Sequence, residues 1–254
     1  DPVVIVARGG APYAWTLGKN GRYDIALPAG DYEVYATAVA HSRAPVIKAQ
    51  VMANGVTTHD FGTLEPPGRV IFDVTNAATK QPLDARIAVQ SGEKPLVEFL
   101  GRSVFFTELD RRGHYDAPMA PGQYDLRVTS GGVFLGPAAT LRLDVKPGQS
   151  VRTPVALSRL FDPPASGWYS ADLHHHADQA EGVTPPEYLA RSQFAAGLDL
   201  LFVSDHDSTA NHEYLERVAR QRGTALIPSM EISPSWGHFN GWPLRPLGQR
   251  LAID

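Results

Sequence analysis

Two stretches of the chain match each other without a gap. Gly21-Arg22-Tyr23-Asp24-Ile25-Ala26-Leu27-Pro28-Ala29-Gly30-Asp31-Tyr32-Glu33-Val34 aligns with Gly113-His114-Tyr115-Asp116-Ala117-Pro118-Met119-Ala120-Pro121-Gly122-Gln123-Tyr124-Asp125-Leu126. The shared frame is G-x-Y-D, a bulky apolar residue, a Pro/Ala pair, then G-x-Y-acid-aliphatic. An internal repeat of this kind requires one supersecondary unit to be used twice. It reads as strand, tight Gly turn, strand. After the second turn, Tyr124, Leu126 and Val128 alternate with Asp125, Arg127 and Thr129, the period of a half-buried strand. Leu141, Leu143 and Val145 do the same and stop at Pro147-Gly148; Asn54-Gly55 holds the matching place in the first copy. The expectation is two small antiparallel β-sandwiches in tandem, over residues 1–65 and 67–158. The first copy has less chain ahead of its G-x-Y-D, as if its opening strand were truncated.

The linker Phe161-Asp162-Pro163-Pro164-Ala165-Ser166-Gly167 changes the rhythm. From Trp168 onward strand and helix alternate. A first strand is expected to end at His174-His175-His176. Thr184-Pro185-Pro186-Glu187 has the form of a capping box, predicting a helix through Phe194 that stops at Gly197. Leu198–Val203 is a short apolar run expected as a buried parallel strand. A second helix is predicted from His212 to Arg222, with Tyr214, Leu215 and Val218 on one face and Gly223 at its end. A third strand, Ala225 to Met230, leads into Glu231. The order βαβαβ implies a parallel sheet or barrel over residues 167–254.

In such folds ligands bind at the carboxyl ends of strands. Here each of those ends carries a metal-binding side chain: His174 and His176, then Asp205 and His206, then Glu231, followed by His238 after a short turn. Residues two apart on a strand face one way, so His174 and His176 can grip one ion while His175 points away. Asp172 shares their side and is placed to orient an imidazole from behind. Imidazole and carboxylate without thiolate favour Zn, Mn or Fe. The thiolate option is closed because the 254-residue chain has no cysteine, which also excludes disulfides and a Cys nucleophile. The formal net charge of −4 gives a nucleic-acid or anionic-membrane partner no electrostatic support. No apolar run approaches 18 residues, so membrane insertion is not expected. Assembly state is left open. His41, His59, His114 and His212 read as surface or capping histidines. Trp236 and Trp242 are either walls of a pocket beside His238 or core.

The repeated frame resembles the carboxypeptidase regulatory-like (prealbumin-like) modules of secreted bacterial proteins, implying an extracytoplasmic, periplasmic or secreted, setting with the modules as spacers or attachment units. The ordered set Asp172-Leu173-His174-His175-His176, Ser204-Asp205-His206, Glu231 and Gly237-His238 resembles the PHP metallohydrolases, whose pattern is D-L-H-x-H, T-D-H, G-x-E and G-H. Glu181-Gly182-Val183-Thr184-Pro185-Pro186-Glu187 and Gly237-His238-Phe239-Asn240 are closest to the CehA/McbA, carbaryl hydrolase-like branch. What the resemblance implies is part of an α/β (βα)7 barrel with two or three divalent ions. His174, His176 and Glu231 would bind one, Glu231 would bridge to a second held by His238, and His206 would serve a third. Glu181 stands where the family has a further ligand, with Asp178 a nearer substitute; Asp205 would act as a proton acceptor or behind the ligands.

The family's later His and its final Asp-x-His have no counterpart before Asp254, and three or four strands cannot close a seven-stranded barrel, so the expected unit is the N-terminal part of one. The function implied is hydrolysis of a small-molecule phosphoester or carboxylic or carbamate ester by metal-activated water. Two rivals are an amidohydrolase, disfavoured by Asp205-His206 and Glu231, and an extracellular structural or adhesive protein with a degenerate, non-catalytic metal domain.

Overall fold

The computed structural model describes residues 2–93, 102–132 and 135–244. The first module begins with an apolar run, Val3-Val4-Ile5-Val6-Ala7, in which every residue is buried. A run buried on both faces belongs at the centre of a sheet. It forms β1 (Val3–Arg8), flanked by β2 (Ala11–Leu17) and β3 (Gly30–Thr37), with β4 (Ile47–Val51) beyond β3, all antiparallel. Gly9-Gly10, at φ +60° and +79°, makes the β1–β2 turn in a conformation that side-chain-bearing residues rarely adopt. The sandwich expected over residues 1–65 is a single four-stranded sheet among the described residues. The second layer is missing because the G-x-Y-D half of the first repeat is coil. Tyr23, Ile25 and Leu27 from that coil, with Phe61 and Leu64, close the core over Val4, Val6, Tyr32 and Val34.

The second module has two sheets. One has the order β10-β9-β6-β7 and the other β11-β5-β8, built from β5 (Gly68–Asn76), β6 (Arg86–Ser91), β7 (Val104–Phe106), β8 (His114–Met119), β9 (Gly122–Thr129), β10 (Ala139–Val145) and β11 (Ser150–Leu157). Val70, Phe72 and Val74 of β5 meet Tyr124, Leu126 and Val128 of β9 in one core. The pairing is not antiparallel throughout: β11 runs parallel to β5. The repeat is visible in the tyrosines. Tyr32 donates its hydroxyl to Pro28 O at 2.9 Å and Tyr124 donates to Ala120 O at 2.7 Å, each satisfying a turn carbonyl four residues back.

The third segment corrects the expectation of an α/β barrel. Its described residues hold α1 (Pro186–Ala195), β12 (Leu201–Val203), α2 (His212–Arg222), β13 (Leu226–Pro228), β14 (Met230–Ile232) and β15 (Phe239–Gly241). β12 and β13 are parallel, β14 and β15 antiparallel, and one bridge, His206 to Glu231, links the regions. A (βα)7 barrel needs many helices and a closed sheet; two helices and two strand pairs supply neither, and the molecule is mostly β.

Local chemistry explains the shortened strands. The expected strand before His176 is coil, because the Asp172 side chain accepts the His174 N–H at 3.1 Å and bends the backbone out of a ladder. The expected Ala225–Met230 strand breaks at Ser229, whose hydroxyl donates to Val203 O. At α1 the cap residue is Pro185, with no side-chain cap from Thr184, so the capping box does not form. α2 has the predicted limits and ends on Gly223 at φ +68°. Residues 245–254, the end of the expected third domain, lie outside the described residues.

The second module and the third segment share an interface. Tyr188 of α1 donates its hydroxyl to Val104 O at 2.7 Å and lies 5.0 Å, edge to face, from Phe106. Leu109 packs into the core formed by Leu189, Leu201, Leu215 and Val218. Gly131 N–H donates to Ala195 O at 2.8 Å. There the backbones approach so closely that a Cβ on Gly197 would sit 2.9 Å from Gly131 Cα.

Candidate metal centre

Three chain segments deliver the cluster. Coil beside β12 carries His174 and His176, tied down where Ser204 N–H donates to His175 O at 2.8 Å. The loop after β12 carries His206. β14 carries Glu231, and the turn before β15 carries His238. Glu231 is the hub, with its side chain only 5% exposed. Its Oε2 lies 2.7 Å from His174 Nε2 and 3.0 Å from His176 Nε2. Its Oε1 lies 2.8 Å from His238 Nδ1 and 3.8 Å from His206 Nδ1. The two carboxylate oxygens therefore face two different pairs of imidazoles, and His174, His176 and Glu231 form one potential ligand group while His206, Glu231 and His238 form another.

The donor set fits a divalent ion. His174 Nε2 and His176 Nε2 are 3.0 Å apart, so with Glu231 Oε2 three donor atoms make a triangle with sides of 2.7, 3.0 and 3.0 Å. At a metal–ligand distance of about 2.1 Å, neighbouring octahedral ligands stand about 3.0 Å apart and tetrahedral ones about 3.4 Å. The triangle matches one face of such a polyhedron. His176 and His206 stack at 4.7 Å between ring centroids, and the buried His176 Nδ1 has no hydrogen-bond partner.

Electrostatics point the same way. Burial raises the Glu231 pKa, but hydrogen bonds from His174 and His238 and the charge of His206 outweigh it, leaving the carboxyl below its usual range. An anionic carboxylate amid four imidazoles is a cation-binding arrangement.

The structure separates the expected residues into three groups. His174, His176, His206, Glu231 and His238 come together. Glu181 joins at the rim, its Oε1 2.6 Å from His206 Nε2. Asp178 stays outside, bound to Gln179 Nε2 at 3.0 Å and Asn211 Nδ2 at 2.9 Å. Asp172 does not reach a ligand imidazole: it holds the His174 N–H and lies 3.2 Å from His175 Nδ1. Asp205 is fully buried with both oxygens engaged, Oδ1 by the Ala177 N–H at 2.6 Å and Oδ2 by Asn211 Nδ2 at 2.8 Å. Its surroundings give no support to a proton-acceptor role and assign it to holding two loops in register. His175 turns away toward Gln193 Nε2, 3.1 Å from its Nδ1, and burial pushes its pKa down. Trp236 and Trp242 are exposed beside His238, Trp236 by 77%, which removes core packing as their role.

Sequence reasoning missed three residues. Ser233 Oγ contacts His206 Nδ1 at 2.5 Å and fixes that ring. Asn211 links Asp178 to Asp205. Gln193, fully buried, accepts from Phe202 N–H at 3.0 Å and donates to Phe202 O at 2.7 Å, replacing a neighbouring strand beside β12. Only Gln193 left a signal, as a polar residue four positions after Leu189 on the apolar face of α1.

No helix among the described residues is long and apolar enough to cross a membrane. No family model matches the chain. A stretch of 65 residues, 26% of the chain, is 37% identical to 24% of a 5'-3' exoribonuclease from Haemophilus influenzae. A stretch of 126 residues, 49% of the chain, is 26% identical to 1% of Halomucin from Haloquadratum walsbyi. The chain thus spans about a quarter of the first relative and a hundredth of the second. Among solved structures, the Bacillus anthracis TIE protein aligns with 62% of this chain and 31% of its own at 17% identity, with a TM-score of 0.29, too low to relate the two folds.

Proposed function

We propose that the chain is a metal-dependent hydrolase of small-molecule esters, acting on a phosphoester or a carboxylic or carbamate ester. One observation carries the reading: the buried Glu231 carboxylate is shared between the His174/His176 pair and the His206/His238 pair, a donor set for two adjacent divalent ions of the Zn, Mn or Fe type. The likeness to PHP motifs supports it without bringing that family's barrel along.

Bound divalent ions supply Lewis acidity and a water that ionises near neutral pH. The chain's own residues do the rest. Glu231, held anionic and buried, fixes the spacing of the two imidazole pairs. Ser233 holds Nδ1 of His206 and sets its ring plane, leaving Nε2, with the Glu181 carboxylate beside it, as the nitrogen for an ion. His174 and His238, each 57% exposed, leave one side of the cluster open to an incoming ester.

The test pairs elemental analysis with a hydrolysis panel of p-nitrophenyl phosphate, bis(p-nitrophenyl) phosphate and p-nitrophenyl acetate. An oligoribonucleotide is included because one relative is named an exoribonuclease. Bound transition ions together with chelator-sensitive cleavage of a small ester are expected. A chain purified without chelator that holds no ions and cleaves nothing overturns the reading, and cleavage of the oligoribonucleotide alone overturns the substrate class.

A further inference from the structure

We propose that Arg222, at the end of α2 remote from the histidine cluster, is a positioning residue for that cluster, with the second β module as its anchor. The N-terminal end of α2 holds all three site-bearing loops. Asn211 Nδ2 donates to Asp205 Oδ2 and to Asp178 Oδ1. Asp205 Oδ1 in turn accepts the Ala177 N–H beside His176, and Asp205 O accepts the Glu231 N–H at 3.2 Å. His212 Nε2 donates to Ser229 O at 2.7 Å, two residues before Glu231.

The other end of α2 is fixed to a different module. Arg222 pairs with Asp84 in a contact where the two side chains are 11% and 7% exposed. It also donates to Leu109 O at 3.2 Å and lies 4.4 Å over the Phe194 ring. Between these ends run 11 helical residues, a rigid strut of about 16 Å, with Leu215, Val218 and Ala219 buried along it. Removing the guanidinium leaves a buried carboxylate whose remaining partner, Arg112, is more than half exposed. A tilt of the freed end moves Asn211 and His212, and with them the loops that carry the ligands.

The test is native-state amide hydrogen exchange on the metal-free full chain. It compares wild type, Arg222→Ala, Arg222→Lys and the control Arg217→Ala, which removes the exposed helix pair with Glu213 and the stacking over Tyr214 on the same helix. The amides read are Ala177, Asp207 and Glu231, each of which donates within the loop network. Arg222→Ala is expected to speed exchange there by about tenfold or more, with Arg222→Lys intermediate and Arg217→Ala and the β1–β4 amides unchanged. Acceleration confined to the last turn of α2 and residues 107–112, or shared equally by every amide of the segment, overturns the proposal. If Arg222→Ala fails to fold, the lysine variant decides by the same pattern. A Zn2+ competition titration gives a second readout and rests on the metal reading; wild type that binds no Zn2+ defeats that reading, while the exchange pattern still decides this one.

Discussion

The Nε2 atoms of His174 and His176 stand 3.0 Å apart, and both point at one oxygen of Glu231. Two lone pairs do not face each other at that distance without a proton or a cation between them. His175, in the middle, serves Gln193 and Asp172 instead. Replacing His174 and His176 together with Ala is therefore expected to remove the ion they share with Glu231 and to lower any hydrolysis by at least about a hundredfold, whereas His175→Ala leaves the ion count unchanged. Elemental analysis of the purified variants checks both.

Ser233 holds His206 Nδ1 at 2.5 Å while Glu181 contacts the other nitrogen. Ser233→Ala frees the ring without removing a ligand. Metal affinity is expected to fall by roughly ten- to a hundredfold with stoichiometry retained, measured by competition with a chelating dye.

Much of the architecture around this cluster was legible in the chain. The Tyr32 and Tyr124 repeat and the limits of α2 follow from period and spacing, because each depends on neighbours close in sequence. The grouping of His174, His176, His206, Glu231 and His238, in which His174 and Glu231 are 57 residues apart, comes from the family resemblance and the expectation of shared strand ends instead. The barrel expected from the third segment does not form. Alternating strand and helix patterns from Trp168 to Glu231 suggested continuous parallel strands, but the Asp172 side chain and the Ser229 hydroxyl divert backbone groups from the ladder. The first is a local side-chain-to-backbone bond and the second a tertiary one, and the hydrophobic pattern announces neither. Asn211 and Ser233 were invisible because their roles depend on distant residues: Asn211 ties Asp205 to Asp178, 33 residues before it, and Ser233 holds His206 across 27 residues.

Gln193 shows the cost of such a hidden contact. It satisfies both the N–H and the carbonyl of Phe202 in a buried setting. Gln193→Leu keeps the volume but leaves both groups unpaired. A loss of about 2–4 kcal/mol in unfolding free energy is expected from urea denaturation, with the β modules unaffected.

His212 is buried, and its pKa is pushed below the ordinary value by that burial. Its Nε2–H serves Ser229 O, and Nδ1 has no partner. The unfolded chain then binds a proton at this site more readily than the folded one. Its contribution to stability is intact above the unfolded value of about 6.5 and is lost as pH falls from there through the lower folded value. In His212→Gln, whose amide can still reach Ser229, thermal denaturation is expected to depend less steeply on pH between about 6.5 and 5 than in wild type. Equal slopes would contradict this.

Everything proposed for the site requires Glu231 to join two sets of imidazoles around divalent ions. The most direct measurement is anomalous diffraction at the metal edge from crystals grown with Zn2+ or Mn2+. Density is expected about 2.0–2.3 Å from His174 Nε2, His176 Nε2 and a Glu231 oxygen, with a second site on the His206 and His238 side of that carboxylate. Well-ordered crystals with no anomalous density near Glu231 would contradict it.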